Sequence, residues 1–245
     1  MNQEIIKLND ICFSYEEEVT LRHINLEINK GETVALMGSN GCGKTTLLKL
    51  LNGLIFPDEG SYYFEDKEIS EKTLKEQKFS KWLHQKLGFI FQNADVQLFC
   101  GSVYEEIAFG PIQMGLSPEE VKQRCEDVIA LLDIEKLRKR APYHLSGGEK
   151  RKVAFACILS MNPDVLVMDE PLAGLDAASQ RWLRSFLQSF KAAGKTLIIS
   201  THDETLARSL ADRIIHINEN HAIERVEIVD DPPKEEHGPR RQPRP

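Results

Sequence analysis

Hydrophobic positions group along this chain in two ways. Residues 4–8, 11–15 and 24–28 read as short β-type segments near the start, and 33–37 (TVALM) is a continuous apolar run that ends in a glycine-rich loop. Continuous runs recur at 165–168 and 196–200, each short and bounded by turn residues. That pattern suits central parallel strands buried on both faces. Helical stretches separate the runs, so the core is predicted to be α/β. Residues 180–192 form one such helix, and Gly194 closes it just before the next strand, as a C-terminal cap would.

Between residues 72 and 160 the pattern turns mostly helical. Ser117, Pro118, Glu119 and Glu120 open one helix with an N-cap, a first-turn proline and a capping-box glutamate in register. The economical reading is one domain over 1–228 with a helical subdomain inserted at about 93–160. The last stretch, 229–245 (VDDPPKEEHGPRRQPRP), is nearly devoid of apolar residues and rich in proline, so a disordered tail is expected.

Composition narrows the classes. With 245 residues the chain can bury a substantial core without disulfide or metal staples. No run approaches the roughly 20 apolar residues of a membrane-spanning helix, and no secretory signal is visible, so a cytoplasmic protein is expected. Net charge is −7 with Lys and Arg dispersed, which argues against a nucleic-acid surface. The five cysteines form no C-x-x-C pair, so reduced thiols are expected.

Three motifs carry chemistry. Gly38, Ser39, Asn40, Gly41, Cys42, Gly43, Lys44 and Thr45 satisfy G-x-x-x-x-G-K-[ST], follow an apolar strand and precede a helical stretch that begins at Thr46. Backbone N–H groups turned inward and a helix N-terminus make a phosphate cradle. Lys44 is expected to reach the β and γ phosphates and Thr45 to ligand Mg²⁺. Alkylation of Cys42 is expected to inhibit, although a small filler residue explains it as well. Second, the apolar run 165–168 delivers Asp169 and Glu170 to its end, where Asp169 would hold Mg²⁺ through water and Glu170 would act as general base. Third, Leu145, Ser146, Gly147, Gly148 and Glu149 precede an apolar helical stretch at 153–159. Ser146 caps that helix and the glycines bare its amides, which makes a second anion site. Two phosphate sites with only one lysine loop are reconciled if each ATP is shared between two chains.

With these elements in this order, residues 1–225 resemble the ATP-binding subunits of ABC transporters. The resemblance implies a P-loop NTPase of ABC ATPase type, a mixed-sheet core with an antiparallel β subdomain. It further implies that Ser146, Gly147 and Gly148 complete the site of a partner in a head-to-tail dimer. By the same resemblance, Tyr15 stacks on adenine, Gln92 joins Mg²⁺ and the attacking water to the helical subdomain, His202 senses the γ phosphate, and Asp176 touches the opposite site. Glu149 departs from the usual Gln. Its charge beside a nucleotide is unfavourable unless it points away or pairs with Lys150 or Arg151. Leu172, Ala177 and Ala94 are further departures, read as tolerated.

Residues 92–99 and 103–111 resemble the ATPases of cobalt, nickel and energy-coupling-factor vitamin importers, where the segment grips the membrane subunit; Leu98 and Phe99 suit that socket or the core. The resemblance therefore implies a peripheral ATPase on the cytoplasmic face, with ATP and Mg²⁺ as cofactors and with a second ATPase subunit and membrane subunits as partners. Whether the pair is homomeric stays open, as does the cargo. A soluble ABC ATPase acting on nucleic acid or ribosomes is the rival, though no second cassette, coiled coil or zinc site is visible. A non-hydrolysing regulator is disfavoured by Glu170 and His202.

Overall fold

The structure, a computed structural model, describes residues 3–91 and 97–229. Gln92 and Ala94 therefore lie outside the described residues, as does all of the expected tail except Val229. The strands are β1 (Glu4–Tyr15), β2 (Glu18–Asn29), β3 (Thr33–Met37), β4 (Glu59–Phe64), β5 (Lys67–Glu68), β6 (Leu87–Ile90), β7 (Val165–Asp169), β8 (Thr196–Ser200), β9 (Arg213–Ile217) and β10 (Ile223–Ile228). The helices are α1 (Lys44–Leu51), α2 (Glu71–Leu74), α3 (Gln77–Lys86), α4 (Val103–Gln113), α5 (Pro118–Leu131), α6 (Gly147–Leu159), α7 (Ala177–Ala192) and α8 (Glu204–Leu210).

A four-stranded antiparallel sheet runs β2-β1-β4-β5, and a six-stranded sheet runs β10-β9-β3-β8-β7-β6. The second sheet is parallel except for β10. Its central strands are buried on both faces, and alternation sorts their side chains. Val34, Leu36, Val165, Val167 and Ile198 join α1 and the antiparallel sheet in one apolar cluster. Ala35, Leu166, Met168, Leu197 and Ile199 face a second cluster that includes residues of α4 to α8. The inserted helices thus share a core with one face of the sheet.

Several elements differ from expectation for identifiable reasons. The segments 4–8 and 11–15 are one strand, joined through a register shift between Leu8 and Ile11 where Asp10 sits at φ 52°. The mostly helical stretch is interrupted by β6, whose four residues are a strand because they pair with β7. Helix α7 begins at Ala177 rather than 180, because Asp176 caps it, whereas α6 begins at Gly147 behind its Ser146 cap, as expected. Val229, expected to start the tail, packs on the core and donates its N–H to Asp212 O.

The parallel register aligns the strand ends. Asp169 pairs with Ser200, and Leu36 pairs with Ser200 on the other side. The phosphate loop, the two acids and the segment that follows β8 therefore emerge at one carboxyl edge, the edge where open α/β sheets bind ligands.

Candidate functional site

The phosphate loop leaves β3 at Gly38 and enters α1 at Lys44. Its glycines are needed where the backbone is crowded: a Cβ on Gly38 would lie 2.3 Å from Ile217 O, and one on Gly43, at φ 108°, would lie 2.4 Å from Thr20 O. That second approach sets the loop against β2, in the hairpin whose turn Tyr15 adjoins. Tyr15 is half exposed and meets Phe13 edge to face at 4.8 Å. Lys44 is buried, and its Nζ donates to Gly38 O and Ser39 O at 2.9 Å each. The loop carbonyls hold the ammonium inside the cradle formed by Gly38, Ser39, Asn40, Gly41, Cys42 and Gly43. Cys42 is also buried and belongs to the apolar core. That burial supports the filler reading.

Opposite Lys44, Thr45 Oγ1 donates to Asp169 Oδ2 at 2.8 Å. Asp169 is buried, and Ser200 Oγ donates to its Oδ1 at 2.5 Å. Ser200 Oγ also accepts the N–H of Glu170 at 3.0 Å, so one hydroxyl fixes both acids. The next residue is held in the left-handed region, with Glu170 at φ 44°, a conformation that concentrates at functional sites. This twist turns the carboxylate toward His202, whose Nδ1 lies 2.9 Å from Glu170 Oε2. An ionised carboxylate only accepts, so the imidazole donates from Nδ1 in this pair. Glu170 is 16% exposed and His202 73% exposed, so the pair lines an open mouth.

Thr45 and Asp169 supply two hard oxygen donors at one point, which suits an oxygen-liganded cation such as Mg²⁺. Among the described residues no cluster of three or more His, Cys, Asp or Glu could hold a metal ion alone.

The start of α6 is where the second anion site is expected. Ser146 Oγ accepts the N–H of Glu149 at 3.3 Å, and Glu149 Oε2 accepts the N–H of Ser146 at 2.8 Å. These bonds to Ser146 hold the Glu149 carboxyl below its usual range, and Arg140 lowers it further. Neither partner expected for Glu149, Lys150 or Arg151, is the one found: Arg140 Nη1 lies 3.1 Å away. Gly148 sits against the first turn of α7, where an added Cβ would meet Ser179 Oγ at 3.3 Å. That turn is capped by Asp176, which accepts the N–H of Ser179 at 2.8 Å and is lowered below its usual range first by that bond. Ser146, Gly148 and Asp176 therefore form a second group, distinct from Lys44, Thr45, Asp169, Glu170 and His202. Arg151 bridges the two through backbone, donating to Pro171 O at 2.8 Å and Glu170 O at 3.3 Å.

A separate groove of about 320 Å³ lies between α3, α4 and α6, lined in part by His84, Phe99, Phe109, Met114 and Met161. Phe99 is 68% exposed on its rim and stacks edge to face on Phe109 at 5.0 Å, whereas Leu98 packs against the core. Leu98 thus takes the core reading, and Phe99 does not. Buried Glu106 shapes the rim by accepting the N–H groups of Phe99 and Cys100 at 2.9 and 2.6 Å. Burial holds the His84 imidazole below its ordinary range.

Sequence reasoning passed over Ser200, Arg140 and Glu106, and weighed Arg151 only as a partner for Glu149. Ser200 had a signal, since a hydroxyl ends the apolar strand in register with Asp169. The others depend on contacts between distant segments and had none.

A family model described as ABC transporter matches residues 21–173. The nickel import ATP-binding protein LarO of Lactiplantibacillus plantarum is 45% identical over 220 residues, covering 90% of this chain and 91% of its own. Among solved structures, cbiO1 of Clostridium perfringens, part of the ABC transporter complex cbiONQ, has TM-score 0.80 at 32% identity and covers 92% of this chain and 89% of its own. The dimeric post-hydrolysis cassette MJ0796 bound to ADP and Pi has TM-score 0.81 at 29% identity, covering 92% and 99%.

Proposed function

Because this chain belongs to the ATP-binding subunits of ABC transporters and is an ATPase, we propose that it powers an importer for a transition-metal ion, cobalt or nickel, or a vitamin. It would work from the cytoplasmic face, with separate membrane subunits and a second ATPase subunit. The likeness to a nickel import ATPase and to a component of the cbiONQ complex supports the importer reading. Among the described residues no helix is long and apolar enough to cross a membrane. The groove rimmed by exposed Phe99 and Phe109 offers them an apolar socket.

The Glu170–His202 contact of 2.9 Å beside the phosphate loop carries the catalytic reading. The loop from Gly38 to Gly43 and the α1 amides at Lys44, Thr45 and Thr46 would cradle the phosphates, with Lys44 moving from its loop carbonyls to the β and γ oxygens. Tyr15 would stack on adenine. Thr45 and Asp169, together with Gln92, would hold Mg²⁺, which when bound supplies charge neutralisation on the β and γ oxygens. Glu170 would take a proton as water oxygen bonds to the γ phosphorus, and the bond to the bridging oxygen breaks with its electron pair leaving on ADP. His202 would hold that carboxylate in place. Ser146, Gly148 and Asp176 would act on the ATP of the second subunit. ATP would hold the closed pair better than the open one, and hydrolysis would reopen it.

Glu170→Gln tests this directly. It removes the base while keeping shape, so steady-state turnover is expected to fall by at least about 10²-fold, with ATP still bound and a dimer accumulating in its presence. Turnover like that of the unmodified protein would sink the assignment of the base. Co-purification with the membrane subunits, and uptake of labelled nickel, cobalt or vitamin by the assembled complex, tests the cargo.

A further inference from the structure

Glu149 creates a conflict at the start of α6. A helix start that receives an anion offers bare amides and the positive end of the helix dipole, yet this one carries a carboxylate in its first turn. The carboxylate is one-third exposed, and it is not alone. Arg140 Nη1 lies 3.1 Å from Glu149 Oε1, and Arg140 Nη2 donates to His144 O at 2.6 Å. The arginine is itself anchored, because its carbonyl accepts the N–H of Val103 at 2.9 Å and its N–H donates to Leu137 O at 2.8 Å. The guanidinium is therefore presented to the loop ahead of α6 by a fixed piece of backbone. One face neutralises Glu149, and the other pins the carbonyl two residues before Ser146.

We propose that Arg140 is a positioning residue for the shared ATP site: it neutralises Glu149, so that the N-terminus of α6 closes on the triphosphate of the second subunit. The inference rests on the head-to-tail reading above. A carboxylate with its own cation adds no net charge beside the incoming phosphates, and a bare one opposes them. Glu149 can then keep its capping bonds to Ser146 without repelling the ligand.

The test measures the ATP concentration that gives half-maximal dimerisation in the Glu170→Gln background, alongside KM and kcat in the otherwise unmodified chain. R140A is expected to raise both concentrations about fivefold at low salt, the size an incompletely buried charge pair supports. The change should fall on KM more than on kcat, and it should shrink as salt approaches about 0.5 M. Arg140→Lys, which keeps the charge, should recover most of the loss. On an E149Q background the same R140A change should move dimerisation by less than about twofold, because the charge it answers is gone. An equal, salt-independent loss on both backgrounds would overturn the inference and leave Arg140 as a structural clip. If the Glu170→Gln chain with Arg140 intact never dimerises in ATP, with itself or with a related subunit, the head-to-tail reading fails first and takes this inference with it.

Discussion

The helices α5 and α6 start with the same device. Each has a serine N-cap and a glutamate three residues on, with both reciprocal bonds formed: Ser117 with Glu120 and Ser146 with Glu149. Between the bonded ends they differ completely. At α5 the intervening residues are Pro118 and Glu119, so the first turn has one amide fewer and two carboxylates. At α6 they are Gly147 and Gly148, and a Cβ on Gly147 would meet nothing within 4 Å. One start is closed to anions by charge, and the other is open to a ligand. A capping box fixes where a helix begins; the two residues inside it decide whether that beginning can also bind.

The largest expected effect separates the two starts outright. Gly148→Asp puts a carboxylate where the second subunit's phosphates would approach, and ATP turnover should fall by about 10²-fold, as for loss of a positioned anion donor. An added Cβ would meet Ser179 Oγ at 3.3 Å, so the α7 side chain must shift slightly, and an unchanged Tm would show that the loss is not one of folding. Turnover near that of the unmodified chain would remove α6 from the site. A smaller effect lies at α5, where Ser117→Ala removes a cap and should cost ~1 kcal/mol, about 2–4 °C in Tm for a domain of this size. ATP turnover at a temperature where the chain stays folded should not follow, and a parallel loss would show that α5 serves the site too.

The smallest effect concerns pH. The Glu149 carboxyl lies below its usual value of 4.5, first because of the Ser146 N–H, and Glu120 is lowered by the matching bond from Ser117. A depressed folded value stabilises above the unfolded one and is lost as pH falls through the folded value. The difference in Tm between the unmodified chain and E149Q should therefore be present at pH 6 and fade below about 4.5. It should not exceed about 2 °C, since the pair is only partly buried and solvent screens it. E120Q should show the same pH window, and a difference that grows on acidification would refute the linkage.

Much of the ATP site was legible because its parts are local. Residues 38–45 are a loop and the helix start it feeds, contiguous in the chain, and β3 and β8 have the predicted bounds because continuous apolar runs between turn residues have few other solutions. The antiparallel sheet was legible only in part. Strand β4 reads EGSYYF and offers no clean alternation, and it becomes a strand through pairing with β1. The same holds for β6, which follows α3 without a turn, and for β9, which is set by its place beside β3.

By itself the sequence determined which local groups stand together: the glycine-rich loop before α1, Asp169 with Glu170 at a strand end, and Gly147 and Gly148 behind their Ser146 cap. Those depend on spacing along the backbone, which the order of residues fixes. The tertiary structure alone decided that Ser200 would orient both acids, that His202 would meet Glu170, and that Arg140 rather than Lys150 or Arg151 would face the Glu149 carboxylate. These contacts join segments whose meeting depends on strand register and helix packing, and a side chain's choice of partner follows from distance in space.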